Sequence, residues 1–469
     1  MVFSSVTFLC IFFPIVFLLH TVLTNTKLRN ALLVLASIVF YAYGEPIYVL
    51  LMLVSVLLNY LFGLGVAGKH KKVAAVLAVI VNIGLLVAFK YAGFFVTELN
   101  RALPKGMGIP VPKFTLPIGI SFYTFQALSY VIDVYRGETE VQKNFFRLLL
   151  YVSFFPQLIA GPIVKYHDIA DEISNRKVTV DGVSHGLVRF SIGLGKKVLI
   201  ANTMAFVADT IFGLQNSQIG VLSAWVAAIA YLMQIYFDFS GYSDMAIGLG
   251  EMFGFHFQEN FNYPYISDSI REFWRRWHIS LSTWFRDYLY IPLGGNRKGK
   301  GRTIFNKFVV FFCTGFWHGA NWTFLVWGLF HGTLQMCEEK HWIPVHKNWK
   351  IFNHIYTMLA VTIGFVVFRA DSLMQAGYMI AAMFGFGTNR SVGYTKTVAM
   401  LSPYTCFMFL CAIIGCTPLM KKLFEKVQAT RHGEGLTQCL SMLYSLILLG
   451  LAMMALAAES YNPFIYFRF

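Results

Sequence analysis

Two histidines carry the chemistry that this sequence offers. His318 stands in GFWHGANW (Gly315 to Trp322), inside a run from Phe308 to Cys337 that holds no Asp, Glu, Lys or Arg. An ionisable group that deep in an apolar run is costly in hydrocarbon, so it faces a bundle interior or a wet cavity and marks a pathway or a reaction site. Imidazole titrates near neutrality, which suits it to move a proton during a group transfer. His278 lies earlier, in REFWRRWHISLSTWFRDYLYIPLGGNRKGKGR (Arg271 to Arg302). A hydrogen bond between two helices would also account for a lone membrane histidine. The combination of a deep histidine with a basic segment able to attract an anionic ligand points instead to an enzyme, without naming the reaction.

That basic segment has a definite balance. Between Asp268 and Lys307 nine Lys and Arg residues face three acids, Asp268, Glu272 and Asp287. Excess positive charge beside apolar runs belongs on the cytoplasmic side of a membrane. Phe273, Trp274, Trp277, Trp284, Phe285, Tyr288 and Tyr290 interleave with the charges, so the segment reads as an amphipathic helix at the interface, its aromatics in the headgroup zone. Its other plausible role is a membrane anchor.

The elements that position these residues are membrane helices. Of 469 residues 57% are hydrophobic and 13% charged, with a mean hydropathy of +0.59, against about 25% charged in a soluble domain. The net charge of +15 is dispersed in short clusters between apolar runs, the pattern of topology signals, and no basic soluble module is present to bind nucleic acid. Cys10, Cys313, Cys337, Cys406, Cys411, Cys416 and Cys439 show no CxxC-type pairing and read as small buried hydrophobes.

Along the chain, a first apolar run (Met1 to Thr26) lacks the basic start of a signal peptide and reads as a membrane helix. The basic clusters Lys27/Arg29 and Lys69 to Lys72 are separated by two apolar runs, which puts both on the cytoplasmic side and the N-terminus outside. PQLIAGP (Pro156 to Pro162) should break its helix at membrane depth, where only covering protein or a wet cavity can satisfy the freed backbone. Asp238 and Asp244, six apart in YFDFSGYSDMAIGLG, do not share a helical face and read as hydrogen-bonded residues rather than a catalytic pair. GVSHG (Gly182 to Gly186) matches GxSxG but lacks the preceding strand of a nucleophile elbow. The run lengths imply an all-α polytopic protein with roughly eleven to thirteen membrane segments, some broken or re-entrant, and no internal repeat of the transporter kind is visible.

FDFSGYSDMAIGLG (Phe237 to Gly250), EFWRRWHISLSTWFRDYLYIPLGGNR (Glu272 to Arg297), FWHGANWTFLVWGLFHG (Phe316 to Gly332) and the closing PFIYFRF (Pro463 to Phe469) resemble the bacterial membrane-bound O-acyltransferases, specifically their alginate O-acetyltransferase branch. The similarity covers nearly the whole chain. It implies one membrane-embedded domain over residues 1–469, with a catalytic core at about 115–370 and a helical bundle around a tunnel. It implies catalytic roles for His318 and His278, in the FWHG and RWH motifs.

Acyl transfer to a hydroxyl is then the expected reaction. A hydroxyl is a weak nucleophile at neutral pH, and an imidazole that removes its proton supplies roughly 10²–10⁴-fold in rate. His318 is the expected base; His278 would position a substrate or polarise the thioester carbonyl. Arg276, Trp317 and Asn321 are expected as donor-binding or orienting groups by adjacency, and neither a metal nor a bound cofactor is required. The resemblance further implies acetyl-CoA as donor, a separate extracytoplasmic acetyltransferase partner, a secreted polysaccharide as the indirect acceptor, and the bacterial cell membrane as location. Two alternatives stand beside this reading: D-alanyl transfer to teichoic acid, by a related branch, and a transporter or channel for a secreted polymer.

Overall fold

The computed structural model describes every residue except 105, 347, 387–390, 431–432, 459–460 and 466–469, so the last four residues of PFIYFRF lie outside it. The described residues form helices and turns with no strand. They divide into two compact units, residues 1–190 with 245–258 and residues 191–244 with 259–469.

Among the described residues, six helices are long and apolar enough to cross a membrane: Tyr48–Val66, Lys71–Ala102, Val180–Phe212, Val221–Met252, Lys350–Arg369 and Gly433–Ala458. A seventh crossing results if Val392–Met400 and Pro403–Gly415, bent by 75°, form one span. Other apolar runs give shorter pieces, such as Phe8–Val22 and Leu373–Met383.

In the first unit, Tyr48–Val66 and Lys71–Ala102 bury one amide each where water is scarce. Asn59 and Asn82 solve this reciprocally, each Nδ2 donating to the other's Oδ1 at 3.0 and 2.8 Å. The PQLIAGP stretch breaks as its prolines require. A helix Phe145–Ser153 stops at Phe154, and a single turn follows at Phe155–Leu158. Protein covers the break: the freed Phe155 N–H donates to Ser37 Oγ at 3.1 Å. GVSHG lies inside the helix Val180–Gly195, which excludes a nucleophile elbow there.

The second unit holds both expected catalytic histidines. Helix α1 (Val221–Met252) contributes its residues up to Asp244. Asp238 pairs with Lys197 at 2.7 Å and Asp244 with Lys196 at 2.6 Å. Carboxylates six apart on an α-helix diverge by about 120°, and the two adjacent lysines that open the π-turn Lys196–Ala201 serve both. Asp238 Oδ2 also accepts the Ile465 N–H at 2.8 Å.

The basic aromatic segment is not one interfacial helix. It folds as α2 (Ile270–Arg276), α3 (Ile279–Phe285) and a π-turn at Arg286–Tyr290. Ser269 caps α2, its Oγ accepting the Glu272 N–H at 3.1 Å, while the Glu338 carboxylate takes the Ile270 and Arg271 N–H groups at 2.7 and 3.2 Å. Phe273, Trp277, Trp284 and Phe285 are buried within the protein rather than spread in a headgroup zone. Helices this short cannot offer a continuous apolar stripe to lipid, and their rings fill the core instead.

Two helices complete the frame, α4 (Gly299–His318) and α5 (Trp322–Glu339), followed by α6 (Lys350–Arg369). Gly315 and Gly319 on the α4 side and Gly328 and Gly332 on α5 form two GxxxG spacings. A Cβ on Gly315 would lie 2.5 Å from the Phe324 carbonyl, and one on Gly328 2.5 Å from the Phe311 carbonyl. Only glycine permits this backbone approach. The cysteine expectation holds for Cys416 alone in full: Cys10, Cys406 and Cys439 are exposed on the protein surface, and all seven are free.

Candidate active site

His318 is the last residue of α4 and is buried. The close-packed glycines on either side of it bring the end of α4 against α5. Its ring makes edge contacts with Trp317, Trp327 and Phe368, with centroids at 5.0, 5.1 and 5.2 Å. It lines a cavity of about 20 Å³ whose other walls are Ile235, Phe239, Trp277, Trp327, Phe365, Phe368 and Ile465. That is room for about one water. Among the described residues, His318 is the one ionisable side chain on a wall otherwise made of aliphatic and aromatic groups.

His278 occupies the joint between α2 and α3. Its backbone is left-handed, with φ of +45°, a conformation that costs a non-glycine residue ~1–3 kcal/mol and persists where the surroundings enforce it. The ring lies 4.6 Å from that of Phe239, which also lines the cavity, and 6.0 Å from that of Trp317. One indole, that of Trp317, therefore contacts both imidazoles. His278 Nδ1 meets Asn260 Oδ1 at 3.1 Å. His278 is outside the six long helices, and burial pushes its imidazole down to about 3, so the ring is neutral at physiological pH.

The other expected residues divide. Trp317 is buried between the histidines as described. Arg276 is not on the cavity wall: its Nε donates to Glu272 at 2.8 Å and its Nη1 to the Asn262 carbonyl at 3.2 Å, with the side chain still 27% exposed. Asn321 caps α5, its Oδ1 accepting the Thr323 N–H at 3.2 Å and its Nδ2 donating to the Asp371 carbonyl at 3.2 Å. Asn321 thus orients the turn after His318 through the backbone.

Sequence reasoning missed Asn260, Ser280 and the cavity walls from α1 and α6. It also missed His331 of α5, fully buried among Phe273, Trp274, Trp327 and Phe330. Its position in the second GxxxG, one motif after His318, was the available signal.

His318 on a glycine-packed helix end and the neutral His278 one ring away place two imidazoles, a common proton-transfer group, beside an apolar cavity. The sequence profile of the membrane-bound O-acyltransferase family matches residues 138–372, which include both histidines. The chain is 44% identical to the probable alginate O-acetylase AlgI of Pseudomonas putida over 100% of both chains. The chain belongs to the membrane-bound O-acyltransferase family. It falls in the alginate O-acetyltransferase-like branch and is a multi-pass acyltransferase of the bacterial cell membrane. A peptidoglycan O-acetyltransferase of Helicobacter pylori is 33% identical over 100% of this chain and 98% of its own. Similarity to a teichoic acid D-alanyltransferase of Bacillus subtilis is narrower, 30% identity over 54% of this chain and 68% of the relative.

Proposed function

We propose that this acyltransferase takes acetyl groups from a cytoplasmic thioester, acetyl-CoA, for the O-acetylation of an extracytoplasmic polysaccharide, completed by a partner acetyltransferase. The observation that carries the chemical part is the placement of His318, the one ionisable side chain on an apolar cavity wall. In this reading His318 removes the proton of an acceptor hydroxyl as its oxygen attacks the thioester carbonyl. The carbon–sulfur bond breaks, the leaving sulfur takes the proton from the imidazolium, and an acetyl ester and a free thiol result. Apolar walls exclude water, which protects the thioester from hydrolysis and strengthens each polar contact inside. Arg276, on the most basic stretch of the chain and still partly exposed, is the candidate contact for the anionic donor.

Whole-length similarity to O-acetylating relatives, against partial similarity to a D-alanyltransferase, supports acetyl over D-alanyl. In the same reading the clusters at Lys27/Arg29, Lys69 to Lys72 and Arg271 to Arg302 share the cytoplasmic side, and cysteines placed at Lys71 and Lys298 should label from one face. The deciding experiment gives the purified protein in detergent a soluble oligosaccharide as hydroxyl acceptor together with either acetyl-CoA or a D-alanyl carrier-protein thioester, and follows release of the free thiol. Release from acetyl-CoA that disappears in His318→Ala, in protein that remains folded, is expected. Turnover restricted to the D-alanyl donor, or unaffected by His318→Ala, overturns the proposal.

A further inference from the structure

The environment of His278 determines which of its nitrogens carries the proton. Asn260 is buried, and its Oδ1 is the meeting point of three groups: the Ser280 backbone N–H at 3.2 Å, the Ser280 hydroxyl at 2.9 Å and His278 Nδ1 at 3.1 Å. A backbone N–H can only donate, so the amide presents its oxygen, not its nitrogen, to this point. An amide oxygen cannot donate, so the ring nitrogen facing it must. The reverse arrangement would bring two lone pairs together at 3.1 Å with no proton between them. The Ser280 hydroxyl does not change this, since it is nearer Asn260 at 2.9 Å than His278 Nδ1 at 3.5 Å.

A neutral imidazole has one N–H. With that hydrogen on Nδ1, the Nε2 atom is a bare lone pair, and it is buried with no hydrogen-bond partner among the described residues. The Asn260 amide nitrogen Nδ2 is likewise buried and unpartnered. Leaving a buried polar group unmet costs about 1–3 kcal/mol, so two at one joint mark a place where something else supplies the partners. The joint is held from both sides: the Asn260 carbonyl accepts the Ile279 N–H at 3.0 Å, immediately after the left-handed residue. The groups found against the ring are Phe239, Trp317, Asn260 and Ser280, none of them charged.

We propose that Asn260 is a positioning residue that locks His278 as its Nδ1–H tautomer, so that Nε2 accepts a hydrogen bond from an O–H or N–H donor of the substrate. The inference rests on the reading of His278 as a functional residue and sharpens it. Polarising a thioester carbonyl needs a donor at Nε2, and the locked tautomer has none there. His278 therefore holds a donor group, either the attacking hydroxyl or an amide N–H of the pantetheine arm, and the carbonyl must be polarised by other groups.

The test uses full-length protein in detergent with acetyl-CoA as probe and a soluble oligosaccharide as hydroxyl acceptor, and compares Asn260→Ala, Asn260→Asp, His278→Ala and the double variant Asn260→Ala/His278→Ala. Asn260→Ala should lower kcat/KM at least roughly tenfold, within the range that acid–base groups supply. The double variant should be no worse than His278→Ala, because both changes remove one device. Asn260→Asp keeps the accepting oxygen and should restore most turnover. Its carboxylate also stabilises an imidazolium, so the acid limb of the pH profile should move up by about 1–3 units. A role in packing alone would leave that limb in place. Full activity in Asn260→Ala while His278→Ala is inactive overturns this inference and leaves the His278 reading intact. Full activity in His278→Ala overturns both. If Asn260→Ala does not fold, the limb in Asn260→Asp decides: an unmoved limb rejects the tautomer lock.

Discussion

Trp317 is in ring contact with His278 at 6.0 Å and with its chain neighbour His318 at 5.0 Å, so one indole joins the two imidazoles that the sequence places forty residues apart. Its position follows from α4: the helix delivers residues 317 and 318 together, and the α2–α3 joint brings His278 to the other edge of the indole.

Trp317→Ala should therefore disturb both histidines at once. Removing a buried tryptophan costs about 3–5 kcal/mol, and the space it leaves allows both rings to rotate. Trp317→Phe keeps an aromatic edge and should lose less. Thermal unfolding and acetyl-CoA turnover per folded molecule separate the effects. Turnover unchanged in folded Trp317→Ala would show that the indole has no part in setting the site.

The glycines give a second expectation. A Cβ on Gly328 would sit 2.5 Å from the Phe311 carbonyl and 3.0 Å from the Gly315 Cα, both backbone atoms that cannot swing aside. Gly328→Ala should push α5 from α4, lowering both melting temperature and turnover. Gly301→Ala, on the same α4 helix with nothing within 4 Å of the added carbon, should be neutral or stabilise by up to about 1 kcal/mol. Equal behaviour of the two variants would remove the close-packing account of how His318 is held.

How far the sequence could reach is visible in these same residues. The all-α membrane character, the break at PQLIAGP and the burial of His318 follow from composition, proline placement and an ionisable group in an apolar run, all of them local signals. The reading of Arg271 to Arg302 as one interfacial helix failed because alternating charge and aromatic residues suit a lipid surface or a protein core equally. What decides is the left-handed turn at His278, and nothing in RRWHIS announces it. Asn260 was invisible for a related reason: its role depends on a contact with a residue 18 positions away, on the far side of α2. Arg276 and Asn321 were chosen by adjacency, and the structure gives them an ion pair and a helix cap, which are the commoner uses of such residues.

His278 also sets a pH dependence. Its folded value lies near 3, below the ~6.5 of an unfolded histidine. Between these values the unfolded chain binds the proton and the folded one does not, so the contribution to stability is complete above about pH 6.5 and falls as pH drops toward 3. The slope for one such group is at most about 1.4 kcal/mol per pH unit. His278→Asn tolerates the left-handed backbone and carries no titrating group, so the stability difference between the native protein and the variant should shrink as pH is lowered through this window. A difference constant from pH 7 to pH 4, measured by thermal unfolding in detergent, would contradict a buried neutral His278.

In the proposed reading, the cavity walls limit the size of the acyl group. Ile235, buried on α1, faces a space of about 20 Å³ next to His318, and its replacement by alanine removes three carbons from that wall. If this space receives the acyl chain, Ile235→Ala should accept a propionyl thioester better relative to acetyl. One methylene in a hydrophobic pocket is worth about 1–3 kcal/mol, or roughly 10- to 200-fold in discrimination. Loss of the isoleucine also destabilises the fold by about 2–5 kcal/mol, so absolute rates mislead. The ratio of propionyl-CoA to acetyl-CoA kcat/KM, taken on one preparation, cancels the folded fraction. A ratio unchanged from that of the native protein would place the acyl chain elsewhere and leave the cavity as a packing feature behind the histidine.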